Sequence, residues 1–188
     1  MIRQATLPFF LALSPVYDPG AALERTLRKA ARRGEPILLG SAAEPYEPGQ
    51  SLSRSFLEDL ARMEGLEISI TARSPRILRD LELLAELDKR HSVVVRLVIE
   101  PGTPDLGARL QAVRSLAMEG IATCVLVASD DTTGEAILRP LLEEAREAGA
   151  HDVEPGPLPR RAAREPFLAN FRRLRLEQGF PRTTAGRG

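Results

Sequence analysis

Apolar residues along this chain fall into short runs that recur about every thirty residues, at 36–40, 66–71, 92–99, 121–128 and 150–154. Runs of this length, rich in Ile, Val and Leu, predict buried strands. The segments between them change period. Phe56, Leu57, Leu60 and Met63 stand at helical spacing in 53–64, and Leu78, Leu81, Leu84, Ala85 and Leu87 line one face of the next segment. The same spacing predicts helices over 106–119 and 134–148, and an earlier one over Ala21–Arg33 that stops at Gly34. Ser74-Pro75 reads as an N-cap followed by proline at the first helical position. Gly65, Gly120 and Gly149 stand where helix C-caps belong.

Strands alternating with helices predict an α/β fold with parallel pairing and right-handed crossovers. The nearly unbroken apolar runs at 92–99 and 121–128 predict strands covered on both faces. Five such units make either a partial parallel (β/α) barrel or an open doubly wound sheet. A full eight-unit barrel takes about 250 residues, and this chain has 188. The expectation is a truncated TIM-type barrel of about five βα units over 20–157, preceded by an N-terminal segment at 1–19. It is followed by a connector over 154–165, a last helix over 166–179 and a frayed end at 182–188.

Lys plus Arg and Asp plus Glu both number 26, so the formal charge is zero and gives no case for general nucleic-acid binding. The single cysteine, Cys124, rules out a disulfide within the chain and a cysteine-ligated zinc or iron–sulfur site built from it. A cytoplasmic setting fits that usage. The apolar run near the N-terminus is interrupted by Pro8 and is too short to span a bilayer, so it reads as a packed strand or loop. Neither a membrane segment nor an export signal is expected.

In parallel α/β folds, ligands gather beyond the carboxyl ends of the strands. The first exit offers Ser41, Glu44, Tyr46 and Glu47, and the second Thr71, Arg73 and Ser74. The third offers Glu100 and Thr103, the fourth Ser129, Asp130 and Asp131, and the fifth Glu154. Glu44 and Tyr46 can contact a ligand or cap their own turn, with Pro45 and Pro48 fixing its path. Arg73 can grip a carboxylate or phosphate, or pair with Glu44 or Glu100. Asp130 and Asp131 resemble a metal-binding pair, but an N-cap for the next helix is the better reading. His91 and His151 stand near strand starts, on the rim away from the exits, and read as structural or solvated. Cys124 reads as a small buried hydrophobe.

Three segments in order, at 34–48 (Gly-Glu-Pro-Ile-Leu-Leu-Gly-Ser-Ala-Ala-Glu-Pro-Tyr-Glu-Pro), 70–87 and 109–128, carry a resemblance. The chain resembles radical S-adenosylmethionine enzymes, in particular the spore photoproduct lyase-like group often described as DNA repair photolyases. That resemblance covers about 13–157. It implies a partial barrel and a four-iron four-sulfur cluster held by a Cys-x-x-x-Cys-x-x-Cys loop, which reduces S-adenosylmethionine to a radical. It also places Glu44, Tyr46, Thr71, Arg73, Glu100 and Asp130 near bound cofactor, and gives a DNA role by family analogy alone.

The sequence departs from the group's pattern at several points. Glu44-Pro-Tyr-Glu-Pro48 stands where the group usually has Asp-Pro-Tyr-Gln-Pro. The third strand, ending Val98-Ile99-Glu100, lacks the group's serine, and Ala128-Ser-Asp-Asp replaces its proline-rich fourth exit. The cysteine loop is absent. Two expectations follow: a catalytic segment encoded upstream of an incorrectly chosen start, or a relative without a cluster that binds a nucleoside-like molecule or a partner protein. The alternative is a non-catalytic α/β module that binds a ligand or a protein, and outside the family stands an unrelated α/β module with a conventional site built on Glu44, Arg73, Asp130 and Asp131. A substrate is not legible.

Overall fold

In a computed structural model, residues 21–40, 44–46, 52–128, 134–156 and 161–181 are described. Five strands alternate with helices in an α/β arrangement. The elements are α1 (Ala21–Arg33), β1 (Ile37–Leu39), α2 (Leu52–Leu60), β2 (Glu67–Ala72), a 3-10 helix (Pro75–Asp80), α3 (Leu81–Asp88) and β3 (Ser92–Ile99). They continue with α4 (Leu106–Met118), β4 (Ala122–Val127), α5 (Glu135–Glu147), β5 (Asp152–Pro155) and α6 (Arg161–Glu177). The strands are parallel and follow one another in sequence order, β1-β2-β3-β4-β5. A doubly wound sheet reverses its strand order at a switch point. This order never reverses, so the doubly wound alternative is removed.

The chain divides into two compact units, 1–95 and 96–187, the division falling within β3. In the first unit, β1 pairs with β2 in the register Ile37↔Ile68 and Leu39↔Ile70. These four face the core with Leu57 and Leu60 of α2 and Leu84 and Leu87 of α3, and all but Leu39 are buried. In the second unit, β4 pairs with β5 as Cys124↔Asp152, Val125↔Val153 and Leu126↔Glu154. Its core joins Val125, Val127 and Val153 to Val113 and Leu116 of α4, Leu138 and Leu142 of α5, and Phe171 and Leu174 of α6.

Several expected boundaries move. Ser74 does cap, its Oγ accepting from the Arg76 amide at 3.3 Å, but the turn it opens is 3-10 and the α-helix starts only at Leu81. The helix expected over 53–64 ends at Leu60, so Gly65 caps no helix; its amide bonds to the Arg90 carbonyl at 3.0 Å. Gly120 and Gly149 do close α4 and α5. The N-cap of α5 is Gly134, not an aspartate. The expected connector is cut short because α6 begins at Arg161 and carries Pro166 in its second turn. β3 is covered on both faces only toward its end. Val94 and Arg96 are half-buried, while Leu97, Val98 and Ile99 are fully buried.

Candidate functional site at the first strand exits

The first unit brings the ends of β1 and β2 together through one glycine and one carboxylate. Gly40 has φ of +78°, and a Cβ there would lie 1.9 Å from the Thr71 carbonyl oxygen. Only glycine allows β1 to turn out so close to the β2 backbone. Four residues on, Glu44 Oε1 accepts from the Tyr46 amide at 3.1 Å and Oε2 accepts from the Arg73 amide at 2.5 Å. One carboxylate therefore ties its own loop to the end of the neighbouring strand. Charge-assisted bonds to backbone N–H groups are the stronger kind.

Behind this clasp Tyr46 is fully buried, and the Arg79 guanidinium lies 5.1 Å from its ring centroid. Arg79 sits on the 3-10 helix beside Asp80, whose side chain is inaccessible to solvent. Asp80 Oδ1 accepts from Arg54 Nη1 at 3.0 Å, and Arg79 Nε lies 3.5 Å from its Oδ2. The arginines thus hold the start of α2 and the 3-10 helix around one buried carboxylate. Sequence reasoning passed over Gly40, Arg54, Arg79 and Asp80. The only signal for them was the close run of Arg79-Asp80 beneath the second exit.

The expected Arg73–Glu44 pairing occurs through the Arg73 backbone, not its guanidinium. The Arg73 side chain is exposed and makes no hydrogen bond or ion pair among the described residues. Thr71, half-buried, lies two residues before it on β2. The structure therefore brings Glu44, Tyr46, Thr71 and Arg73 together. What emerges is a backbone corner tied by Glu44, with the Arg73 guanidinium unpaired among the described residues and suited to an anionic group such as a carboxylate.

The remaining candidates lie in the second unit or outside the described residues. Glu100 is exposed after β3, and its carbonyl accepts from Thr103 Oγ1 at 3.0 Å. Asp130, like Ser41, Glu47, Ser129 and Asp131, lies outside the described residues, as does the run at 6–13. A groove of about 390 Å³ lined by Arg28, Arg32, Arg62 and Glu64 opens near the strand starts, away from the exits. Arg62 there is already bonded to Asp59 at 3.0 Å.

Neither histidine joins the site. His91 is buried, with Nδ1 accepting from the Leu66 amide at 3.2 Å and Nε2 donating to the Leu60 carbonyl at 3.1 Å. Burial holds its pKa below the ordinary value, because the charged ring would be poorly solvated. His151 is exposed at the start of β5.

A four-iron cluster does not fit the donors of this chain. Cys124 lies in the middle of β4, only 4% exposed. Burial, then the nearby Glu154 charge, pushes its thiol far above the ordinary range, so thiolate ligation there is opposed. Among the described residues, no group of three His, Cys, Asp or Glu side chains is placed to hold a metal ion.

No protein-family profile matches the chain. It is 28% identical over 145 residues to the uncharacterized protein Rv2578c of Mycobacterium tuberculosis, and equally to the uncharacterized protein Mb2609c of Mycobacterium bovis. Each match takes in 70% of this chain and 39% of the relative. The chain thus spans about two fifths of the length of the curated relatives it matches.

Proposed function

We propose that this chain is a radical S-adenosylmethionine-like α/β protein of the spore photoproduct lyase-like group. In this reading it binds S-adenosylmethionine, or a nucleoside-like molecule close to it, at the first two strand exits. No cluster is held by its own residues, and no radical step is derived for it. The observation that carries the reading is the exit corner. Gly40 and Glu44 fix the backbone, and Arg73 presents a guanidinium that is unpaired among the described residues. A methionyl carboxylate is the natural partner for that group. Sequential parallel strands and the ordered resemblance of 34–48, 70–87 and 109–128 support the same family.

The second reading, a non-catalytic ligand- or protein-binding module outside the family, is favoured by one observation. Both oxygens of Glu44 are already engaged by backbone amides, so the fold accounts for that carboxylate without a ligand. A cytoplasmic location is part of the proposal and rests on the lone, buried thiol. No helix among the described residues is long and apolar enough to cross a membrane. A DNA partner is proposed by family analogy only.

Calorimetry decides between the readings. Titration with S-adenosylmethionine should give saturable heat, and Arg73→Ala should weaken binding about tenfold or more, a loss of at least about 1.4 kcal/mol. Absence of heat at millimolar ligand removes the S-adenosylmethionine reading and leaves the second.

A further inference from the structure

The second unit carries an ion pair poorly shaped for holding a fold together. Arg96 on β3 reaches across β4 to Glu154 on β5, with Nη1 at 2.9 Å from Oε2. That is its one side-chain hydrogen bond among the described residues. The Arg96 Nε is buried and has no hydrogen-bond partner among the described residues. A stabilising arginine–carboxylate pair is normally forked, and a buried donor left unmet costs about 1–3 kcal/mol.

The same unit shows what a satisfied pair looks like. Arg175 Nε donates to Asp152 Oδ1 at 3.1 Å and to the Val153 carbonyl at 2.9 Å, and its Nη2 also reaches Asp152. Arg96 has nothing comparable.

Strands two apart in a sheet lie about 10 Å from each other, and the arginine spends its length crossing that gap. Leu126 pairs with Glu154 and Cys124 with Asp152, so Cys124 and Leu126 share a face with Glu154. Cys124, which feels both charges, has a short side chain. Both charged side chains keep about a third of their surface exposed, 36% and 32%. A molecule from solvent can therefore reach them.

We infer that Arg96 and Glu154 form a binding site for a small zwitterion of the α-amino-acid type, its carboxylate on Arg96 and its ammonium on Glu154. A purely anionic ligand would displace Glu154 and leave that carboxylate unpaired; a purely cationic one would do the same to Arg96. A zwitterion returns a partner to each charge, and its second carboxylate oxygen takes the Nε–H that the resting pair leaves unmet. The ligand's own side chain lies against Leu126. This site goes beyond the reading of the first strand exits, since it uses none of their residues.

Nitrogen-15 spectra of the arginine Nε–H groups test it, with glycine, acetate and methylammonium as probes. The Arg96 signal is identified by its loss in Arg96→Lys. Glycine should shift it saturably with a dissociation constant of about 1 mM, and acetate and methylammonium should act at least about tenfold more weakly. Glu154→Gln should weaken the glycine response by about tenfold or more, with the Arg175 Nε signal unmoved as the sign of an intact fold. Should that variant unfold, Glu154→Asp in its place should give an intermediate loss. A shift that does not saturate, or one that acetate reproduces at equal concentration, overturns the inference. Arg73→Ala should leave the glycine response intact, so failure at the first exits and failure here are separable.

Discussion

Replacing Glu44 by alanine removes both hydrogen bonds that join the β1 exit loop to β2. The bond to the Tyr46 amide is half-buried and the bond to the Arg73 amide is exposed. Net contributions of bonds to charged groups run at about 1.5–3 kcal/mol, and exposure puts the second at or below the low end. The Tyr46 side chain is fully buried, so its loop has little freedom to move the amide toward solvent. The expected loss is about 2–3 kcal/mol. With a urea slope of about 2 kcal/mol/M, the midpoint falls by about 1 M. Glu44→Gln keeps one acceptor oxygen and turns an NH2 toward the other donor, so it should lose about half as much, roughly 1–1.5 kcal/mol. Amide hydrogen exchange supplies the local readout. The Tyr46 and Arg73 amides should exchange faster in Glu44→Ala, whereas amides of β4 and β5 should follow global stability alone. An unchanged midpoint together with unchanged exchange at Tyr46 and Arg73 would refute the clasp.

Three further outcomes are expected. Gly40→Ala combines a positive φ with a Cβ 1.9 Å from the Thr71 oxygen. It should cost more than about 2 kcal/mol, and wild-type thermal stability would contradict the close approach. His91 has its pKa lowered below 6.5 by burial, so the unfolded chain takes up its proton first as pH falls. Its contribution is intact above pH 6.5 and declines from there down to the folded pKa; His91→Gln should flatten that part of the stability-versus-pH curve. A slope unchanged in the variant would assign it to other groups. Glu135 and Glu177 bridge Arg139 and Arg173 in a four-membered ring between α5 and α6. Hydrogen bonds from those arginines hold both carboxyls below 4.5. Their stabilisation is present above pH 4.5, lost as pH falls through the folded values, and reduced by salt because the ring is exposed; acid unfolding midpoints indifferent to Arg139→Ala would discount it.

Much of the architecture was written in periodicity. Ile37, Ile68, Ile70 and Val125 belong to runs short enough for strands, and Leu84, Leu87, Val113 and Leu116 keep helical spacing, so element type and order could be read directly. Boundaries were less legible. Ser74-Pro75 signals a helix start but not whether its first turn is 3-10 or α, because the cap serves both. Pro166 was expected to open the last helix, yet α6 starts at Arg161 and runs through it, with Phe167, Phe171 and Leu174 buried. At the site, residue types pointed to Glu44 and Arg73 but not to how they meet. A backbone N–H leaves no trace in the sequence, so the pairing was expected between side chains. Gly40 was hidden because its need arises from the Thr71 carbonyl on another strand. Arg96 interrupts an apolar run, and that signal is plain only once Glu154 is seen opposite it.

The central claim is that the first strand exits form a ligand corner with Arg73 as its free cation. Backbone nitrogen-15 spectra recorded during titration with S-adenosylmethionine test it most directly. Saturable shifts concentrated at Tyr46, Arg73 and Ser74, and lost in Arg73→Ala, are predicted. Saturable shifts clustered elsewhere while those three stay still, or no shifts at millimolar ligand, would contradict it.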